Sequence, residues 1–485
     1  MAFAIEPRRV VIALLVAAAT AILVWFGTGL FPLWPLLWFA PLPVLVFAGR
    51  SSGRAAGMTA LLAWAAGNLN LWDYFAAALH VPLVIRIVIL AGPALAFAFA
   101  VLLYRALLLR GAPWSALAAF PAVWVSYEYV FNLISPHGTA MNLAYTQLNF
   151  LPFLQLASIT GPWGMSFLLL TFSTALAIGL HLRTAQPRQA GRIVAATLGL
   201  IAAVLVFGAV RLALPPPPGH LVRVGLVASD LPAYSGVATR GAETERELKD
   251  YAAHAESLAV RGAQVIVLPE HLGEADDSEM ASIDQIFQPL AGGAKTTIVV
   301  GIAHDSTQMK QNEARVYPQR AQVLTYAKHH LLPPFESIFT PGTTLTTLTR
   351  PNGTWGVAIC KDMDFTPLSR QYGQAGVGLM LVPAWDFTVD RVSHGHMAIL
   401  RGVESGFAIA RAGRGGSLTV SDNRGRIVAE TPSNSAPFAT LVADVPAMHE
   451  RTLYLLLGDW FAWFTLVSLA WLLVRRGLLT RRQAR

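Results

Sequence analysis

Outside the stretch from residue 220 to residue 450 this sequence has no lysine and almost no acid. All five lysines (Lys249, Lys295, Lys310, Lys328 and Lys361) lie inside it. Before residue 220 the acidic residues are Glu6, Asp73 and Glu128, and after 450 only Asp459 remains. Charged residues make up 13% of the 485-residue chain against 54% hydrophobic, about half the charge share of an ordinary soluble domain. A single water-soluble globule is thereby excluded. One cysteine, Cys360, excludes an intramolecular disulfide. The net charge of +8 does not point to nucleic acid, because the excess is arginine at the ends of apolar runs while the 220–450 stretch is slightly acidic. The chain is read as two physical objects, and the polar one, about 230 residues, is long enough for its own core.

What is present is a series of apolar runs. A membrane-crossing helix needs ~20 such residues. The runs predict helices at roughly 10–26, 31–48, 57–79, 84–104, 115–132, 163–182 and 193–213, with an eighth near 456–474. The second carries Pro32, Pro35, Pro41 and Pro43 and is expected to be broken or partly re-entrant. The stretch 133–162 is read as non-spanning, and the N-terminal run as a retained first helix. Arginines gather in alternate connections: Arg8 and Arg9, Arg50 and Arg54, Arg105 and Arg110, Arg183 to Arg192, and Arg475 to Arg485. That alternation predicts both termini in the cytoplasm and the polar stretch outside it. Trp25, Trp34, Trp38, Trp72, Trp163 and Trp460 suit interfacial anchors. Glu128 is expected to face the interior of the helix bundle.

The expected organisation is a membrane domain over 1–214, a Pro-rich spacer at 215–219, a catalytic domain over 220–450, and a last helix with a basic cytoplasmic tail over 451–485. Within 220–450, strand-like runs (221–228, 264–270, 296–303, 353–360, 377–384) recur with an amphipathic helix at 243–260, and further strands follow over 406–445. This is the pattern of a layered α/β sheet. Three polar residues close or follow such runs, where catalytic groups of α/β folds gather. Glu270 ends VIVLPE, Lys328 follows VLTYA, and Cys360 ends WGVAIC. A carboxylate beside a thiol can take its proton, and a lysine can stabilise an oxyanion. The pairs His329-His330 and His394-x-His396 lack a third ligand at suitable spacing, so no metal and no cofactor is expected.

LPE at 268–270, KHHLLPPFE at 328–336 and ICKD at 359–362 resemble, in order, the three signatures of the nitrilase (carbon–nitrogen hydrolase) superfamily. With NLAYTQ at 142–147, ITGPWGMSFL at 159–168 and RGVE at 401–404, almost the whole chain is similar to its membrane-embedded branch, the apolipoprotein N-acyltransferases of bacterial envelopes. The resemblance implies a multi-pass helical membrane domain carrying an extracytoplasmic nitrilase-like αββα sandwich, in the bacterial inner membrane, as a monomer. It implies a phospholipid acyl donor, a lipoprotein acceptor, and a ping-pong reaction in which Glu270 is the base, Cys360 the nucleophile and Lys328 the oxyanion partner. Glu336 resembles the supporting carboxylate. The sequence departs from the family at Lys361-Asp362 (commonly Tyr-Glu), at Ala228-Ser229-Asp230, at Gly413-Arg414-Gly415-Gly416, and in a lid-like segment offering Tyr234 in place of tryptophan. Lys361, Asp362 and Tyr234 are therefore expected on the substrate side. The alternative reading is a membrane-anchored amidase, or an acyltransferase serving another amine.

Overall fold

The computed structural model describes residues 7–215, 221–231 and 239–483, and the chain divides into two compact units. The first comprises Met1–Leu133, Met141–Arg211 and Asp459–Arg485. Its helices are α1 (Pro7–Gly27), α2 (Trp34–Leu37), α3 (Leu42–Ala48), α4 (Gly53–Gly67), α5 (Leu83–Leu108), α6 (Pro113–Ile134), α7 (Leu151–Leu154), α8 (Ala157–Leu182) and α9 (Pro187–Ala213). Among the described residues six helices, α1, α5, α6, α8, α9 and the final one, are long and apolar enough to cross a membrane. The expected second helix is broken into α2 and α3, where Pro41 and Pro43 withdraw N–H donors from the ladder. The third starts earlier than the apolar pattern suggested, because Ser52 Oγ caps the Ala55 N–H at 3.2 Å. It is α-helical for 15 residues and then loosens into a 3-10 turn, Asn68–Leu71, and a π turn, Tyr74–Ala78. α8 begins at Ala157 and kinks at Gly161, whose φ of 64° and ψ of −160° precede Pro162.

Leu198, Leu200, Val206 and Val210 of α9 are exposed. In water they would form a large apolar patch; a hydrocarbon surrounding is the setting that suits them. Glu128 is 7% exposed, and its Oε1 accepts the Leu143 N–H at 2.8 Å, capping the 3-10 turn Leu143–Gln147.

The second unit comprises Ile134–Ala140 and Leu212–Gly458. Its helices are α10 (Ala242–Val260), α11 (Asp277–Gly293), α12 (Thr366–Gln374), α13 (Ser393–Ser405) and α14 (Leu453–Leu457); α15 (Trp460–Gln483) then rejoins the first unit. There the Trp163 indole donates to Asp459 at 2.7 Å and the Trp460 indole to the Ile159 carbonyl at 2.8 Å.

Among the described residues thirteen strands run β1 (Leu221–Ala228), β2 (Val265–Val267), β3 (Glu274–Asp276), β4 (Thr297–Asp305), β5 (Lys310–Tyr317), β6 (Leu324–Ala327), β7 (Thr346–Arg350), β8 (Gly353–Val357), β9 (Val377–Trp385), β10 (Ala408–Arg414), β11 (Ser417–Ser421), β12 (Ile427–Pro432) and β13 (Ala439–Pro446). One sheet has the order β13-β1-β2-β4-β5-β6 with β3 beside β4, the other β12-β11-β10-β9-β8-β7. Each has a parallel centre, β1-β2-β4 and β8-β9-β10, flanked by antiparallel strands.

The sheets pack face to face. Val224, Leu226 and Val267 of one and Leu379, Leu381 and Ala410 of the other share a fully buried cluster. On the outer face of the first sheet, Leu248, Tyr251, Ile283 and Phe287 of α10 and α11 cover Ile266, Ile298 and Val300. Leu368, Tyr372 and Ala398 of α12 and α13 join the second. The result is an α-β-β-α stack. Each fully buried Val, Leu or Ile side chain contributes about 1.5–3 kcal/mol, which is why near-continuous apolar strands rather than alternating ones mark this core.

Candidate active site

β2, β6 and β8 each stop short of the residue that carries chemistry, so Glu270, Lys328 and Cys360 stand on the turns beyond the ladder. Glu270 Oε1 accepts from Lys328 Nζ at 2.7 Å and from Asn312 Nδ2 at 2.7 Å, while Oε2 accepts the Trp385 backbone N–H at 3.0 Å. Glu336 closes the cluster. Its Oε1 accepts from Lys328 Nζ at 3.0 Å and Asn312 Nδ2 at 2.6 Å, and its Oε2 takes the Leu332 N–H at 2.6 Å. Burial alone would lower the Lys328 pKa, but Glu270 and Glu336 hold it well above the ordinary lysine value. Lys328 is therefore a fixed cation.

Cys360 opens a 3-10 turn, Cys360–Asp364, at φ +45°, a left-handed conformation that L-residues seldom adopt. Its Sγ lies 3.6 Å from the Trp385 carbonyl oxygen. Burial and then the negative charge of Glu270 push the thiol well above the usual cysteine range, against the opposing pull of Lys328. The resting group is a thiol, and it needs a base.

Lys361 and Asp362, expected on the substrate side, both have internal partners. The Lys361 ammonium is held by backbone carbonyls. Nζ donates to the carbonyls of Pro136 at 2.6 Å and Leu331 at 2.9 Å, and burial lowers its pKa to about 8. Asp362 is fully buried. Its Oδ2 accepts from the Tyr326 hydroxyl at 2.7 Å and the Ile359 N–H at 3.0 Å; its Oδ1 accepts the N–H groups of His329 at 3.2 Å and His330 at 2.9 Å. It thus ties the nucleophile turn to the loop carrying Lys328. Tyr234 lies outside the described residues.

Asn312 and Trp385 were not singled out by sequence reasoning. Asn312 carried no signal of its role, because its strand, KQNEARVY, is polar on both sides of it. Trp385 contributes through its backbone, which no residue type announces. Among the described residues no group of three or more His, Cys, Asp or Glu could hold a metal. The histidines serve singly: the His330 ring lies 3.1 Å from Asp362 and stacks on Phe365, and His394 pairs with Asp390 at 3.0 Å. A carboxylate, a thiol and a buried ammonium so arranged can perform nucleophilic acyl chemistry.

Residues 13–175 match the model of the apolipoprotein N-acyltransferase N-terminal domain. The chain is 27% identical over 467 residues to the apolipoprotein N-acyltransferase of Geobacter metallireducens, covering 88% of both chains. To that of Haemophilus ducreyi it is 25% identical over 388 residues, covering 73% of this chain and 74% of the relative. Among solved structures, an amidase from Nesterenkonia sp. is similar at 20% identity and a TM-score of 0.42, covering 48% of this chain and 92% of that one. Its N-terminal helices match that model, and over most of its length the chain is similar to such relatives.

Proposed function

We propose that this protein transfers a fatty acyl group from a membrane phospholipid to the N-terminal amine of a lipidated cysteine on lipoproteins, through a thioester on Cys360. The observation that carries this reading is the convergence of Glu270, Lys328 and Cys360 in a chain whose relatives by length and name are apolipoprotein N-acyltransferases. Glu270 takes the thiol proton as sulfur attacks the ester carbonyl. A C–S bond forms, the ester C–O bond breaks, and the proton passes to the departing lysophospholipid oxygen. The acceptor amine then attacks the thioester, losing a proton to Glu270. The C–N bond forms, the C–S bond breaks, and the thiol is restored. Lys328 stabilises the oxyanion in both halves, together with the backbone N–H of Lys361. Two lipid-tailed substrates give the membrane helices their use.

The alternative, an amidase or an acyltransferase for another amine, was motivated by Lys361 and Asp362. Both side chains are committed to internal contacts, which weakens that motive. The test is intact-mass spectrometry of the detergent-solubilised protein mixed with phospholipid. A hydroxylamine-labile acyl adduct on Cys360 is expected, discharged by a peptide bearing an N-terminal diacylglyceryl-cysteine. Cys360→Ala and Cys360→Ser should both be inactive; turnover by the alanine variant removes the reading.

A further inference from the structure

Two arginines outside the cluster just described hold a residue whose backbone touches both base and nucleophile. The Trp385 N–H donates to Glu270 at 3.0 Å, and the Trp385 carbonyl faces the Cys360 thiol at 3.6 Å. The next residue, Asp386, is 4% exposed, and Arg411 grips it in a fork, Nη2 to Oδ1 at 2.5 Å and Nη1 to Oδ2 at 2.6 Å. The Asp386 N–H donates to the Arg414 carbonyl at 2.9 Å. The Arg414 guanidinium lies 3.7 Å over the Trp385 ring and donates at 2.9 Å to the carbonyl of His271, the residue after Glu270.

The turn Gly413–Gly416 is folded onto this carboxylate. A Cβ on Gly413 would stand 2.7 Å from Asp386 Oδ2, and one on Gly415, at φ +64°, or on Gly416 would collide with Asp386. Asp230 pins the turn from its far side, accepting the Gly415 N–H at 2.7 Å and the Ser433 hydroxyl at 2.6 Å. Two of the places where this chain departs from the family it resembles, 228–230 and 413–416, therefore meet at this turn. A buried ion pair is a poor device for stability alone and a strong one for fixing geometry.

We propose that Arg411 and Arg414 are positioning residues that hold the Trp385 backbone between Glu270 and Cys360, so that the thiol proton is delivered to the carboxylate. The inference rests on reading those two as base and nucleophile. Charged groups acting on the thiol include Glu270, Lys328, Asp386, Arg411 and the neighbouring Lys361, and the variants below separate charge from geometry.

The test uses the full chain in detergent, with two readouts: the pH profile of Cys360 alkylation by iodoacetamide, which needs no lipid, and the rate of acyl-enzyme formation from phospholipid. Arg411→Lys keeps the charge and loses the fork. It should leave the alkylation profile in place and slow acylation about 10- to 100-fold. Arg411→Met should move alkylation to higher pH, and adding Asp386→Asn should move it back without restoring acylation. Arg414→Gln should slow acylation at unchanged donor KM. A purely structural role would lower the melting temperature while leaving both readouts at wild-type values in the folded fraction. Wild-type acylation by folded Arg411→Lys or Arg414→Gln overturns the proposal, and these two variants decide it if Arg411→Met does not fold. If the wild-type protein gives no lipid thioester, the donor assignment fails, and acylation of the same variants by p-nitrophenyl acetate decides the clamp.

Discussion

At Cys360 the surroundings work against a preformed thiolate. Burial comes first and the charge of Glu270 second in holding the proton on sulfur, with Lys328 opposing them. Glu270 therefore has two separable effects. Glu270→Gln should shift Cys360 alkylation to lower pH, since a repelling charge is gone, and yet abolish acyl-enzyme formation, since the base is gone. Lys328→Ala should do the reverse to the profile, moving it to higher pH, and should slow both acylation and transfer by ~10²–10³. Iodoacetamide titration and intact-mass kinetics on the same samples read both effects. An upward shift in Glu270→Gln would show that the carboxylate does not face the thiol in solution, and more than a tenth of wild-type rate in Lys328→Ala would remove its oxyanion role.

Between elements the decisive group is Asp362, which holds the turn after β8 to the loop after β6. Asp362→Ala would leave a hydroxyl and backbone N–H groups without their acceptor in the interior, at about 1–3 kcal/mol each. Thermal or denaturant melting followed by tryptophan fluorescence should show a loss of at least ~3 kcal/mol; a loss below ~1 kcal/mol would mean that water replaces the carboxylate. Burial alone would raise this carboxyl's pKa, but His330, the Ile359 N–H and the Tyr326 hydroxyl hold it below the usual value. Its stabilisation is thus fully present above the unfolded pKa, about 3.9, and lost as pH falls through the lower folded value. His394 has the opposite sign. Asp390 outweighs burial and lifts it to about 9, so its contribution is complete below about 6.5 and lost as pH rises through 9. His394→Gln should flatten the stability profile over that upper window and leave the acid limb unchanged; an unaltered upper limb would show that the pair is not charged. Much of this architecture was legible in the sequence, because each of Glu270, Lys328 and Cys360 follows an apolar run and a strand must end where its ladder ends. Asn312 and Arg411 were not, since what matters about them is register: Lys328 N–H bonds to the Asn312 carbonyl at 2.8 Å, and Arg411, paired with Val382 on the neighbouring strand, reaches Asp386 just past that strand's end. Nor was the fate of Lys361, whose partners are backbone carbonyls that no residue type reveals.

For the whole molecule, the separation of lysine and acid from arginine and hydrocarbon was the clearest sequence signal, and the membrane helices followed from it. What composition could not supply was their parity. α2 and α3 are short and broken, and α4 has 15 α-helical residues, so two of the eight expected spans differ from straight crossings. Proline explains the first, since each one in a helix interior removes a hydrogen bond that hydrocarbon cannot replace. If the α2–α3 pair enters and leaves on one side, every later connection changes side. The arginine pattern argues that it crosses, because Arg50 and Arg54 then fall on the same side as Arg8, Arg105, Arg188 and Arg475. A reporter at the connection after Ala213 should therefore read extracytoplasmic, one in the Gly49–Ser52 connection cytoplasmic, and one at the C-terminal end cytoplasmic. Alkaline phosphatase and green fluorescent protein fusions at the three positions supply complementary readouts. A shared location for the Gly49–Ser52 and post-Ala213 reporters would place the parity change between those points and overturn the eight-span arrangement. Agreement between the post-Ala213 and C-terminal reporters would mean instead that α15 does not cross, despite the length and apolarity that suit it to do so.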